Sequence, residues 1–206
     1  QYGGFSKGMA CRVFDTREFH PKTPLHPYTT GQFGTGASMA FQASFLRSIG
    51  GFDPALGGEG PARCGQDIAA FFQVMRKGYR LVYTPASLLY HTHRRDYTGL
   101  RKQIYNYGVG ATAYLTKCVL ENPWLIFDLI VRIPYGLYFI LSSHSPKNRK
   151  KQMHYPEDLR KVELRGMMYG PLAYLHTLKA LRRATATSTT VIASSSAPMA
   201  KEHLIQ

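Results

Sequence analysis

The chain has 206 residues, 44% of them hydrophobic and 18% charged, with a formal net charge of +14. That length and apolar content support one folded domain with appendages and exclude a wholly disordered chain. Three cysteines, Cys11, Cys64 and Cys118, are too few and too widely spaced for a disulfide framework or a zinc cluster, and they point to a reducing compartment. The basic excess implies a polyanionic partner: nucleic acid, an acidic membrane surface or phosphorylated substrates.

Gln1 rather than Met opens the sequence, and no basic-then-apolar signal segment precedes Gly3-Gly4-Phe5, so the chain is read as part of a longer polypeptide. Residues 1–34, interrupted by Pro21, Pro24 and Pro27, are predicted to be an extended connector with one short strand. Gly34-Thr35-Gly36-Ala37-Ser38-Met39-Ala40-Phe41 predicts a tight turn feeding a buried strand. Ala43 to Ile49 has helical spacing, and Gly50-Gly51 stops it. A glycine-rich loop from Ala55 to Gly65 precedes a second helix, Gln66 to Arg76, with Ile68, Phe71, Phe72 and Met75 on one stripe and Gly78 at its end. Leu81-Val82-Tyr83 predicts a strand. Leu100 to Leu120 predicts a helix that tolerates Gly108 and Gly110.

Asn122 as N-cap and Pro123 as first residue predict a third long helix ending near Leu141. Its eleven Leu, Ile, Val and Phe residues favour a bilayer by roughly 3–7 kcal/mol, and Asp128 with Arg132 cost roughly 5–7 kcal/mol. The near-zero balance, and the i, i+4 spacing that lets the two charges pair, favour an amphipathic segment lying in a membrane interface over a span. A buried helix of a larger enzyme is the competing reading. Lys147, Arg149, Lys150 and Lys151 follow at once, as contact with anionic headgroups requires. A further amphipathic helix around Met167 to Leu178 is expected to be interrupted at Gly170-Pro171. The Ala/Ser/Thr-rich tail, 184–206, reads as disordered.

Asp67 and His91 bracket the stretch that carries chemistry. Asp67 heads a helix behind a glycine-rich loop, a position suited to a general base and equally to a helix cap. His91 ends an apolar run, where a hydrogen-bonded structural role competes with metal ligation. His93, at i+2, points to the opposite side of an extended segment and does not share an ion with His91.

Five blocks in order resemble the acceptor-side half of family 2 inverting glycosyltransferases: Gly34 to Phe41, Ile49 to Asp53, Gly65-Gln66-Asp67, Lys77 to Pro85, and Tyr90-His91-Thr92-His93-Arg94-Arg95. The resemblance covers roughly residues 31 to 110. It implies an α/β fold, a partial GT-A-like domain lacking its amino-terminal half, followed by amphipathic, membrane-associated helices. The expected divisions are 1–118 for the catalytic portion, 119–183 for the basic membrane-associated region and 184–206 for the tail. The resemblance further implies Asp67 as the base that deprotonates the acceptor, His91 as a metal ligand, and Gly34, Thr35, Gly36 and Gln66 at the substrate. Gln66 replaces the acidic residue usual in the family. Arg94, Arg101 and Gln103 resemble a segment that contacts the donor diphosphate or an acceptor phosphate, with a solvated basic helix face as the alternative.

The implied partners are a nucleotide-diphosphate sugar, a sugar or lipid-linked acceptor and an anionic membrane surface on the cytoplasmic face, with no nucleic acid. A divalent metal, magnesium or manganese, is the implied cofactor. No Asp-x-Asp motif occurs in the sequence, so the portion alone is expected to be inactive. A non-catalytic membrane-bound remnant of a transferase, and a basic nucleic-acid-binding module, are the alternative functions.

Overall fold

A computed structural model describes residues 8–15, 24–58, 60–92, 95–149 and 156–195, with side chains as far as residue 187. Among the described residues there are two strands and six α-helices, besides short 3-10 turns at Thr30–Gln32 and Pro54–Leu56: β1 (Arg12–Phe14), α1 (Ala43–Ser48), α2 (Gln66–Arg76), β2 (Leu81–Tyr83), α3 (Tyr97–Glu121), α4 (Leu125–Leu141), α5 (Pro146–Arg149) and α6 (Glu157–Ser195). β1 and β2 pair antiparallel, with Arg12 opposite Tyr83 and Phe14 opposite Leu81. Beneath them Phe14, Phe33 and Met75 form a small core. At the ladder's end the buried Asp15 accepts a hydrogen bond from Arg80 Nε at 2.8 Å.

The glycines expected to end the first two helices do so by one mechanism. After α1, the Gly51 N–H reaches Leu46 O (2.9 Å) and the Gly50 N–H reaches Arg47 O (3.1 Å). After α2, the Tyr79 and Gly78 N–H groups reach Val74 O and Met75 O in the same pattern. Gly50 and Gly78 hold φ of +79° and +72°, a region that disfavours any Cβ.

The main core lies where α2, α3 and α6 meet. It is built from Leu56, Ala69, Phe72, Val109, Ala113, Tyr114, Cys118, Ala173 and Tyr174. α6 packs along α3, which runs to Glu121. The approach is close because the contact surface is glycine. A Cβ at Gly108 would strike the Glu163 carbonyl oxygen, and one at Gly166 would strike the Tyr105 carbonyl oxygen.

Three local expectations are not met. Pro171 does not interrupt α6. It lacks the N–H that would bond Met167 O, and Thr112 Oγ1 of α3 supplies that bond instead at 2.7 Å. Residues 184–195, expected to be disordered, continue the helix, with the Thr185 and Thr187 hydroxyls bonded back to Leu181 O and Arg183 O. Their Thr, Ser, Val and Ile content gives little intrinsic helix propensity, so this stretch is helical as an extension of α6 that needs no new nucleus. Residues 36–41, expected to enter a strand, are irregular. The Gly36 N–H is spent on the Asp67 carboxylate rather than on a ladder.

α4 begins two residues later than predicted, and Asn122 belongs to the end of α3. It caps the end of α3 through its N–H to Cys118 O, and α4 begins at Leu125. The Asp128–Arg132 pair forms as expected, at 2.9 Å. Tyr28 donates its hydroxyl to Asp128 Oδ2 at 2.6 Å, the Arg132 guanidinium lies 5.7 Å from the Tyr28 ring centre, and Arg132 also donates to Pro24 O. The hydrogen bond from Arg132 holds the Asp128 carboxyl below the usual carboxylate range. This clasp fastens one side of α4 to the segment 24–28.

Candidate functional site

A cleft of about 1780 Å³ opens between the 31–42 segment, α2, β2 and the first turns of α3. Gly34, Thr35, Asp67, His91 and Gln103 all line it, so five of the nine residues singled out from sequence converge on one space. Gly36 lies beside them and donates its N–H to Asp67 Oδ2 at 2.9 Å. The other carboxylate oxygen accepts the Ile68 N–H at 2.9 Å. Gly65, with φ +122°, is the residue that caps α2; Asp67 sits in the first turn and is not the cap.

Two backbone N–H groups therefore fix the Asp67 carboxylate at the cleft wall. A carboxylate offers about four lone-pair positions, so two remain for an incoming hydroxyl. A Cβ at 36 would press on Asp67 Oδ2 at 3.1 Å, so a larger residue there would shift the carboxylate by a few tenths of an ångström.

The remaining candidates go elsewhere. Gln66 points away from the cleft and donates to the Asp53 carbonyl at 3.0 Å, bracing the loop behind Asp67. Its neutrality thus bears on the loop and not on the carboxylate's immediate surroundings. Arg101 forms an ion pair with Asp158 of α6, which also accepts the Tyr97 hydroxyl at 2.5 Å. Arg94, like His93, falls outside the described residues.

Arg101 and Gln103 part company because two residues on a helix point to nearly opposite sides. The cleft-facing side of α3 is Leu100, Gln103, Ile104, Tyr107 and Ala111, an i, i+3, i+4, i+7 series, and Gln103 donates to the Tyr107 hydroxyl at 2.8 Å. That spacing is visible in the sequence and would have selected Tyr107 in place of Arg101.

Two further residues support the site. Asp53 accepts the Ala55 N–H (2.8 Å) and the Tyr174 hydroxyl (2.9 Å), with Lys117 Nζ at 3.5 Å, tying the loop before α2 to α3 and α6. Cys64 lines the cleft and donates its thiol to Asn106 O at 2.9 Å. Burial, reinforced by the nearby Asp67 charge, pushes its thiol up from 9.0 to about 11.

Burial likewise pushes Cys118 up to about 12. A raised thiol stays protonated in the folded protein after the unfolded chain has begun to ionise. Its effect is therefore absent below about pH 9, and stability falls as pH climbs through the 9–12 window. At pH 8 a disulfide reagent is expected to modify the exposed Cys11 rapidly, with Cys64 and Cys118 reacting only after urea is added. Rapid native modification of all three would contradict these environments.

Among the described residues, no three His, Cys, Asp or Glu side chains gather to hold a metal ion. Asp67 and His91 share the cleft, but the described residues do not by themselves compose a divalent-metal site.

Over 87 residues the sequence is 30% identical to the pre-mycofactocin glycosyltransferase of Mycobacterium tuberculosis, in strains CDC 1551 / Oshkosh and ATCC 25618 / H37Rv alike. The chain is related there to a glycosyltransferase. The match takes in 41% of this chain and 17% of the relative's length. No family model and no solved structure matches the chain.

Proposed function

We propose that this chain is the acceptor-side portion of an inverting glycosyltransferase of the family 2, GT-A type, with Asp67 as general base. The carrying observation is the Asp67 carboxylate, held by the Gly36 and Ile68 N–H groups at the wall of a cleft shared with His91 and Gln103. The partial similarity to a glycosyltransferase supports the reaction class.

In this reading the acceptor hydroxyl, from a sugar or lipid-linked sugar, enters the cleft beside Asp67. Its oxygen bonds to the anomeric carbon as its proton passes to the carboxylate. The bond from that carbon to the nucleoside diphosphate breaks on the opposite side, and its electron pair leaves with the diphosphate. Displacement from the rear inverts the anomeric centre. The Gly34–Gly36 turn and Gln103 border the space that the acceptor would occupy. The reading carries with it a divalent cation, magnesium or manganese, to offset charge on the departing diphosphate, with ligands drawn largely from outside the described residues.

The test is acceptor-dependent release of nucleoside diphosphate by the intact gene product, with the product's anomeric configuration read by NMR. Inversion relative to the donor is expected. A product retaining the donor's configuration, or no turnover with any nucleotide sugar, would overturn the proposal.

A further inference from the structure

The polarity of α4 is reversed relative to a helix on a soluble surface, where charged residues face water. Its two charged residues, Asp128 and Arg132, lie on the half-buried side, held by Tyr28 and Pro24. Every exposed position along α4 is apolar except Tyr138. Val131 is 80% exposed and Phe127 61%. At 3.6 residues per turn these exposed positions form one unbroken stripe over roughly half the circumference.

The stripe offers almost nothing to a hydrogen-bonding partner. Its one hydroxyl, on Tyr138, is already bonded to His144 O at 3.3 Å. Protein interfaces carry about one hydrogen bond per 100–200 Å², whereas hydrocarbon asks for none. The chain that follows the stripe in sequence is strongly basic. Residues 142–183 hold ten Lys or Arg against three Asp or Glu, and the exposed Arg149 closes the short helix that follows α4.

We propose that the exposed face of α4 rests side-on in the acyl boundary of an anionic lipid bilayer, with the body held above it by the Tyr28–Asp128–Arg132 clasp. Leu125–Arg149, which takes in both α4 and α5, is long and apolar enough to cross a bilayer. Crossing would nevertheless carry Pro24, Tyr28 and the ion pair into hydrocarbon with it, whereas lying flat buries only the apolar stripe. The Asn148 amide, which donates to Ile140 O and Ser142 O, supplies the turn that returns the chain to the body. The inference is independent of the chemistry at Asp67, and either can fail without the other.

Trp124, the chain's single tryptophan, is 77% exposed at the start of α4 and serves as the probe. The full chain is expected to float with phosphatidylcholine–phosphatidylglycerol vesicles, more weakly with phosphatidylcholine alone, and to be released by alkaline carbonate. Trp124 emission is expected to shift to the blue and to be quenched by lipids brominated near the headgroup end of the acyl chains. The double substitution Phe127→Glu/Val131→Glu is expected to weaken vesicle binding about tenfold or more, with an unchanged melting temperature because both side chains face outward. Wild-type protein that fails to float, or a double variant that floats equally well, would overturn the proposal. So would carbonate-resistant binding, which means a span, and so would a dimer in solution that the double variant dissociates, which assigns the stripe to a second copy of the chain.

Discussion

Asp67→Asn is expected to lower glycosyl-transfer turnover by about 10²- to 10⁴-fold, the range for loss of a positioned general base, with donor binding unchanged. The substitution removes the proton acceptor and little else. Asparagine keeps one carbonyl oxygen for the Gly36 or the Ile68 N–H, which now bond separate carboxylate oxygens at 2.9 Å each. Its amide group then faces the other N–H, and that lost bond costs about 1–3 kcal/mol. Set against the 5–15 kcal/mol typical of a domain, roughly, the fold survives. Gly36→Ala is the companion variant: it presses a Cβ on Asp67 Oδ2 while leaving the carboxylate in place. A pure anchoring role for Asp67 would make the two variants alike. The base role predicts that Asn loses turnover far more than Ala, and equal losses would remove Asp67 from the chemistry.

What the sequence revealed, and what it concealed, follows from the range of the interactions involved. Gly50 and Gly78 ended helices as expected because a left-handed residue and two backbone bonds to the preceding turn are local matters. Asp128 and Arg132 paired because four residues place them on one face. The convergence of Gly34, Thr35, Asp67, His91 and Gln103 was legible as ordered blocks, although no periodicity links the loop to α2 or α3. Arg101 parts from Gln103 for a local reason, because two residues turn it to the other side of α3, where it pairs with Asp158. Pro171 was misplaced for a distant one: the hydroxyl that repairs its missing bond lies 59 residues earlier, at Thr112. The inward turn of Asp128 and Arg132 was equally invisible, since a helix shows which residues share a side and not which side meets the body.

The glycine contact between α3 and α6 leads to the largest expected effect on stability. Gly166→Ala combined with Gly170→Ala is expected to destabilise the protein by about 4 kcal/mol, lowering its melting temperature by about 8–16 °C. Helix propensity alone predicts the reverse, a gain of about 1 kcal/mol per substitution. The geometry decides between them. A Cβ at Gly166 would run into the Tyr105 carbonyl oxygen, and one at Gly170 would stand 2.5 Å from Val109 O and closer still to Thr112 Oγ1. Backbone oxygens in a neighbouring helix cannot swing aside as a side chain does, so the two helices must move apart along their length. That motion breaks the Thr112–Met167 bond and opens the packing around Ala113, Ala173 and Tyr174. Gly136→Ala in α4 isolates the propensity term, because a Cβ there meets only Leu25, at 3.9 Å. It is expected to leave the melting temperature unchanged or raise it slightly. If the double variant on α6 also melted at or above the wild-type temperature, α3 and α6 would not be in backbone contact, and Pro171 would need another source for its missing hydrogen bond.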